Sequence, residues 1–390
     1  MHPFIITVVF IILLLYSFMK RDEDFEHYVL ANRNIGVYGL TATLTMTEFY
    51  TATLFSFSSL AYQVGLKAIS LPTIFFISLI FYAHIVAKRW KEFNGFSVVD
   101  IFINRFGKEI GLEAAIFLFC SMSCFSATYL KSLTILFSNV AYEISHWYLS
   151  AYIVFFCLFI IIRRGLISVI RFDSFSLITV FCGLIYVLYH ICDSDKINNN
   201  FDKENFFTPE ILNNYFILSL LPLTMFSYIL APWYGQRMFA ARNKQTAYLA
   251  VNFSAILVFI LYSLGILISY NVAIKSYKFV DPQESLPFAI NTLLKDKFYT
   301  NSGLILLLLI TSTTLCGVWN AMANILREFY PEKKGNQKTN VHMILVSALI
   351  TYLLSNILID NILNKMILAN IPVIALSYPL LSSFYWPWTS

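Results

Sequence analysis

A carboxylate and a row of hydroxyl groups lie in the middle of an apolar stretch, Gly39–Leu66, that is long enough to cross a bilayer. The carboxylate belongs to Glu48, and threonines occupy positions 41, 43, 45, 47, 51 and 53 around it. A charge in the membrane interior costs about 3 kcal/mol on the mildest scales, so it normally faces a cavity or a partner and not lipid. Threonine is a weak helix former, and its hydroxyl and the carbonyls of an unwound turn can ligate a hard cation. The pattern predicts a broken helix with a binding site at the break.

A second group of oxygen donors follows in the last third of the chain. Ser312 and Thr313 come three and four residues after Leu309, which places both hydroxyls on one helix face with the Leu309 carbonyl. Such oxygens suit a sodium ion. The alternative is that both hydroxyls bond to a carbonyl one turn earlier and bind nothing.

Several roles remain open for Glu48. It could assist an ion, pair with a substrate amine or carry a proton. It could also bond locally or pair with Lys131, the one cation that lies well inside an apolar span. The long stem of Lys131 could equally extend its amine to the membrane interface.

Aromatic residues near the interrupted spans are candidates for a substrate pocket. They are Tyr50 in one span and Phe226, Tyr228 and Trp233 in another. Aromatic residues make up 17% of the chain, so most of them must be packing or interfacial residues. Nucleophile elbows, phosphate loops and metal-hydrolase motifs do not occur in the sequence, and we expect no enzymatic activity.

The composition is that of a polytopic helical membrane protein. Hydrophobic residues make up 58% of the chain and charged residues 13%, and the mean hydropathy is +0.68. The net charge of +5 is dispersed over short loops and does not indicate nucleic-acid binding. The six cysteines show no metal-ligand spacing. The sequence predicts the lipid bilayer and a small solute as partners and points to no obligate protein partner.

The apolar runs predict about eleven spans. We place them at 3–19, 36–63, 68–87, 110–140, 147–163, 174–191, 214–239, 247–273, 302–327, 340–359 and 363–386. The first run lacks a basic n-region and a cleavage site, so it is interpreted as a retained span. Lys and Arg cluster after alternate spans, which predicts an N-terminus outside and a C-terminus in the cytoplasm, in the inner (plasma) membrane.

Spans two and seven hold corresponding positions in the two halves of the chain, and both are predicted to be interrupted. Span two contains Glu48 with threonines around it, and span seven contains Pro222 and Pro232. Paired interrupted helices are the best sequence indication of a transporter binding site.

Four motifs, in order along the chain, resemble the sodium:solute symporter family, which includes proline, pantothenate and sodium/glucose carriers. They are FEHYVLANRNIG (Phe25, Tyr28, Leu30, Arg33, Gly36) followed by the opening stretch, RRGLISVIRFDSF (Gly165, Asp173), APWYGQRMFAARNKQTA (Gln236, Arg237, Ala240, Ala241, Ala247) and ITSTTLCGVWNAMANILREFY. The second motif has Phe172 in place of the family's Thr, and the last ends with Glu328 in place of Asp. We interpret Asp173 and Arg237 as structural residues of cytoplasmic loops that tie helix ends.

The resemblance implies an all-α, leucine-transporter-type fold with two inverted five-helix repeats. Span one (3–19) would be a leading helix, followed by repeats at 36–191 and 214–386 in one transmembrane domain. Relatives usually continue for further helices past the position where this sequence stops. By the same resemblance, Na⁺ would be held by the carbonyls of Met46 and Phe49 together with Leu309, Ser312 and Thr313.

The expected function is sodium-coupled import of a small organic solute by alternating access. A proton-coupled carrier that uses Glu48 is the alternative within transport. A sensor-type protein and a shortened, non-transporting member are the others. The sequence does not specify the solute, because one fold carries many solutes in this family.

Overall fold

The computed structural model describes residues 25–93, 95–138, 144–193, 207–275, 282–292, 312, 314–330, 337–359 and 362–386. Seven helical segments in these residues are long and apolar enough to cross a membrane, which makes the chain a multi-pass membrane protein. The predicted span 3–19 lies outside the described residues.

The described helices overlap the predicted spans from 36–63 onward; of the predicted span 302–327, residues 302–311 and 313 lie outside the described residues. In chain order they are α1 (Phe25–Leu30), α2 (Val37–Glu48), α3 (Thr51–Val64), α4 (Ser70–Tyr82), α5 (Lys88–Glu92), α6 (Val99–Phe106), α7 (Lys108–Ser138), α8 (His146–Arg164), α9 (Leu166–Asp193), α10 (Asn214–Leu230), α11 (Pro232–Ala240), α12 (Lys244–Ile274), α13 (Ser285–Thr292), α14 (314–327), α15 (Gln337–Ile357) and α16 (Ile362–Tyr385). A π-helical turn, Ala83–Ala87, joins α4 to α5.

The first predicted break is confirmed. Helix α2 ends at Glu48, and α3 begins at Thr51. Between them Phe49 (φ −83°, ψ 91°) and Tyr50 (φ −125°, ψ 157°) are extended. The Phe49 amide still donates to the Thr45 carbonyl (2.8 Å) and the Tyr50 carbonyl accepts from the Leu54 amide (3.1 Å), so the break lies between these two residues.

The second break is confirmed at Pro232 and not at Pro222. Helix α10 continues through Pro222 and ends at Leu230. Ala231 (φ −48°, ψ 114°) is not helical, and Pro232 occupies the first turn of α11. A proline disfavours helical geometry in the residue before it but is tolerated at the first helical position, so Pro232 both ends one helix and begins the next.

The helices on either side of the two breaks pack against several other helices. Helix α12 packs along α2, α3 and α4, and α9 packs on α2. On the other side, α10 packs against α4 and α16, and α16 also packs on α7. The breaks are therefore enclosed by helices on several sides.

The start of α2 and the end of α11 lie together at one end of the protein, which we call the α2-start end. The amide of Ile35 donates to the carbonyl of Ala240 (3.0 Å), and the amide of Arg242 donates to the carbonyl of Ile35 (2.9 Å). The two interrupted helices are thus joined by backbone hydrogen bonds at this end.

Candidate functional site

One tyrosine hydroxyl bridges the two halves of the first interrupted helix. The Tyr262 hydroxyl, on α12, donates to the carbonyl of Glu48 at 2.5 Å and accepts from the amide of Tyr50 at 3.4 Å. Its ring packs on Phe49, with the ring centroids 4.9 Å apart. A helix end buried without such partners is costly, and here a single side chain serves the last turn of α2 and the first of α3.

Replacing this tyrosine tests the bridge. In Tyr262→Phe, the buried carbonyl of Glu48 and amide of Tyr50 lose the hydroxyl between them. We expect a loss of about 1–3 kcal/mol in stability and a lower melting temperature in detergent. Tyr270→Phe is a matched control, because Tyr270 lies on the same helix and stacks on Phe207 (5.6 Å). Equal melting temperatures for the two variants would refute the bridging role.

Both interrupted helices meet at the Glu48 carboxylate, which is only 4% exposed. One carboxylate oxygen accepts from the hydroxyl of Tyr228 on α10, and the other accepts from the hydroxyl of Tyr234 on α11 (2.9 Å). The hydrogen-bond partners of this carboxylate are these tyrosines and not Lys131, so the alternative Glu48–Lys131 pair is not formed. Lys131 is partly buried on α7.

The predicted ion site is only partly within the described residues. The Thr314 hydroxyl on α14 donates to the carbonyl of Met46 at 2.9 Å, next to the break. Ser312 is buried, whereas Leu309 and Thr313 lie outside the described residues. Sequence reasoning did not select Thr314, although it is the next hydroxyl in the same run.

A cavity of about 120 Å³ opens beside the first break. Four of the predicted pocket residues, Glu48, Tyr50, Tyr228 and Trp233, line it. Phe226 is 38% exposed, and neither it nor Lys131 is among the lining residues. The cavity extends from Glu48 as far as Leu60 on α3, away from the α2-start end.

A buried polar chain lies between the cavity and the α2-start end. The Nε of Arg237 donates to the Thr43 hydroxyl (2.9 Å), which donates to an Asp173 carboxylate oxygen (2.5 Å). Arg237 also donates to the carbonyl of Trp233 (3.0 Å). We interpreted Asp173 and Arg237 as loop residues, but both are fully buried within helices, where they join α9 and α11 through α2.

The Arg237 guanidinium lies directly against Gly317 on α14, at a position where a larger residue would not fit. A Cβ added at Gly317 would lie 2.4 Å from the Nη2 atom of Arg237. Helix α14 therefore approaches α11 closely at the level of the polar chain.

A layer of arginine and phenylalanine side chains covers the α2-start end. The Arg33 and Arg327 guanidinium groups each lie 5.3 Å from the ring centroid of Phe96, and Arg327 lies 5.0 Å from that of Phe25. Arg33 also pairs with Glu26 at 2.8 Å. These contacts join α1, the segment before α6 and α14, and we call them the arginine–phenylalanine layer.

Comparisons with known proteins identify the fold. No protein-family model and no curated protein sequence matches the chain. A Na⁺-coupled sialic acid symporter, solved substrate-bound and outward-open, aligns with a TM-score of 0.75 and 15% identity over 95% of this chain and 83% of that one. Mhp1, a nucleobase-cation-symport-1 family transporter in a closed conformation with bromovinylhydantoin, aligns with a TM-score of 0.62 and 13% identity over 91% and 78%.

A third solved structure leads to the same result. MhsT in complex with L-phenylalanine aligns with a TM-score of 0.59 and 12% identity over 90% of this chain and 89% of that one. At these identities the likeness shows a shared fold, the leucine-transporter type with its inverted repeats. The predicted fold class is therefore confirmed.

Proposed function

We propose that this chain is a sodium-coupled secondary transporter that imports a small organic solute by alternating access. The observation that carries the proposal is the contact between the Thr314 hydroxyl and the Met46 carbonyl at the break in α2–α3. Carbonyls of an unwound turn and hydroxyls on a facing helix are the oxygen ligands that a sodium ion prefers. The fold, shared with sodium-coupled symporters, supports the same conclusion.

Sodium would bind between the broken helix and α14, with ligands from the carbonyls of Met46 and Phe49 and from the hydroxyl run at 312–314. Leu309 would complete the set in the register that the family resemblance implies. An ion there would hold α14 against the break and would stabilise the cavity next to it. The affinity for solute then rises with sodium, and by reciprocity the affinity for sodium rises with solute.

The covered α2-start end fits the step of alternating access in which the cytoplasmic side of a transporter is closed. The cavity extends away from the α2-start end, which is covered by the arginine–phenylalanine layer and the buried Arg237 chain. With that end in the cytoplasm, as the charge distribution predicts, the cavity lies on the path from outside. Release of the solute into the cell would require the contacts of the arginine–phenylalanine layer and those of the buried Arg237 chain to open.

The sodium assignment is tested with Thr314→Val, which removes the hydroxyl and keeps the shape of the side chain. We expect the sodium concentration for half-maximal thermal stabilisation to rise about tenfold or more, with potassium ineffective in both proteins. Thr179→Val is the matched control, because the exposed Thr179 hydroxyl bonds to the carbonyl one turn earlier (3.0 Å). An unchanged sodium titration in Thr314→Val would contradict the site.

Proton coupling is the second candidate function, and the environment of Glu48 favours it. The carboxylate is buried at the meeting point of both interrupted helices and is held by two tyrosine hydroxyls. Uptake into vesicles would then follow an imposed pH gradient and persist without sodium. Binding without uptake under either gradient would instead indicate a sensor-type or non-transporting protein.

A further inference from the structure

We infer that the cavity beside Glu48 selects a small organic monocation, an ammonium group on a compact apolar body, over anions and zwitterions. This inference rests on the proposed function in taking the cavity as the solute site. It specifies the chemical class of the solute, which the fold does not determine.

The charge of the cavity lining carries the inference. Glu48 is the one acidic residue in the lining, and no Lys, Arg or His lies among the described residues that line it. The nearby Arg237 points elsewhere, since it donates to Thr43 and to the carbonyl of Trp233. An ionised carboxylate has about four lone-pair sites, and tyrosine hydroxyls use two at Glu48, which leaves acceptor capacity for a donor cation. An anion in the same space would meet a like charge in a medium of low dielectric constant.

Three of the uncharged polar residues of the lining, Thr224, Ser227 and Asn370, are already paired with other side chains or with the backbone. The Ser227 hydroxyl donates to the side-chain oxygen of Asn370, and the Asn370 amide donates to the carbonyl of Met366 (3.0 Å). The Thr224 hydroxyl lies 2.7 Å from that of Ser78. These pairs leave Glu48 as the principal group with which a charged solute would interact.

Aromatic rings form much of the remaining wall. Tyr50 and Tyr129 have ring centroids 4.4 Å apart, and Phe125 and Trp233 have centroids 5.3 Å apart. The faces of such rings attract cations, most strongly where water is excluded. The volume of about 120 Å³ is somewhat below the roughly 150 Å³ of an engineered cavity that admits benzene, so it suits a body of about one ring.

The test uses four ligands that share a phenylethyl body and differ in charge. They are phenethylamine (cation), 2-phenylethanol (neutral), 3-phenylpropionate (anion) and L-phenylalanine (zwitterion). Binding to the purified full chain is measured in sodium as the shift in melting temperature over a concentration series. We expect phenethylamine to bind at least tenfold more tightly than the alcohol, and the two carboxylates to give no shift.

Two results would overturn the inference. One is binding of 3-phenylpropionate or L-phenylalanine at least as tight as that of phenethylamine, which would indicate that backbone amides at the break hold a carboxylate. The other is the absence of any shift with phenethylamine and with the smaller cation isobutylammonium.

Variants connect the selectivity to the named residues. Glu48→Gln should lose at least tenfold in affinity for phenethylamine and leave the affinity for 2-phenylethanol nearly unchanged. Phe125→Leu, which keeps Glu48 and removes a ring face, should also weaken the amine more than the alcohol, so the inference stays testable if Glu48→Gln does not fold. Unchanged amine selectivity in a folded variant of either kind counts against it.

The outcome is separable from that of the proposed function. Stabilisation by sodium without any response to amines would leave the transporter proposal intact and reject the solute class. Tight amine binding without amine uptake in vesicles, under either a sodium or a pH gradient, would keep the solute class and reject transport.

Discussion

Arg237→Met is expected to be among the most destabilising single substitutions in this protein, with a loss of about 3–5 kcal/mol in the free energy of unfolding. The side chain is fully buried and reaches Asp173 through the Thr43 hydroxyl. Methionine fills similar space but leaves the buried Asp173 carboxylate without this cation. The measurement is thermal or denaturant unfolding of the purified protein in detergent.

A double variant separates the loss of the charge pair from the loss of packing. In Arg237→Met with Asp173→Asn, neither charge remains, so most of the lost stability should return. Arg171→Met is the matched control, because Arg171 lies on the same helix as Asp173 and is exposed; its effect should stay within about 0.5 kcal/mol. If the double variant is as unstable as the sum of its two single variants, the two charges are not coupled and the buried chain is not an electrostatic unit.

The breaks of both central helices could be predicted from local signals. Glu48 among β-branched threonines is expensive in a lipid-facing helix and weak as helix material, and the structure interrupts the helix directly after it. Pro232 disfavours helical geometry in the residue before it, and the second break falls there. Pro222 carries the same chemical signal, but α10 continues through it, so a proline alone does not determine a break.

The partners of Glu48 could not all be predicted, because they are brought together from distant parts of the chain. Tyr228, Tyr234 and Tyr262 lie 180, 186 and 214 residues from it. A tyrosine in an apolar span looks the same in the sequence whether it packs, lies at an interface or donates to a buried acceptor. For Tyr234 and Tyr262 nothing in the local pattern marked the difference.

The four consecutive hydroxyl-bearing residues 311–314 show a second reason why the sequence did not determine the whole site. Each step along a helix rotates the side chain by about 100°, so a choice among adjacent hydroxyls determines which face they occupy. The family register selected Ser312 and Thr313, and the structure places the Thr314 hydroxyl on the Met46 carbonyl. With hydroxyls at four consecutive positions, periodicity alone does not identify the facing one.

The interpretation of Asp173 and Arg237 as loop residues is wrong, and the charged residues near each of them in the sequence explain why. Arg163, Arg164 and Arg171 precede Asp173, and Arg242 and Lys244 follow Arg237, which is the composition of a cytoplasmic loop. In the structure Arg171 is exposed, and Asp173, two residues later on the same helix, is buried. Helical periodicity within a charged run is thus more informative than its total charge.

Gly165→Ala is the other substitution for which we expect a large effect, a loss of about 3 kcal/mol in stability. Gly165 joins α8 to α9 with φ +56° and ψ −135°, a sparsely populated backbone conformation that costs an L-residue about 1–3 kcal/mol. A Cβ there would also lie 2.1 Å from the carbonyl oxygen of Tyr28, which is backbone and has little freedom to move. Overpacking adds about 1–3 kcal/mol. The Tyr28 hydroxyl donates to the carbonyl of Ile161 (3.2 Å), so the clash would act on the same junction from both sides.

Two further glycines divide this effect into its physical causes. Gly107 has φ +92° and no atom within 4 Å of an added Cβ, so Gly107→Ala should show the backbone cost alone, about 1–3 kcal/mol. Gly36 has neither a positive φ nor a neighbour within 4 Å, so Gly36→Ala should change stability little. Unfolding of the three variants in detergent should therefore rank Gly165 above Gly107 and Gly107 above Gly36. A Gly165→Ala protein no less stable than Gly107→Ala would mean that α1 moves away from the α8–α9 junction at little cost, and that the first family-like motif is not held there by close packing.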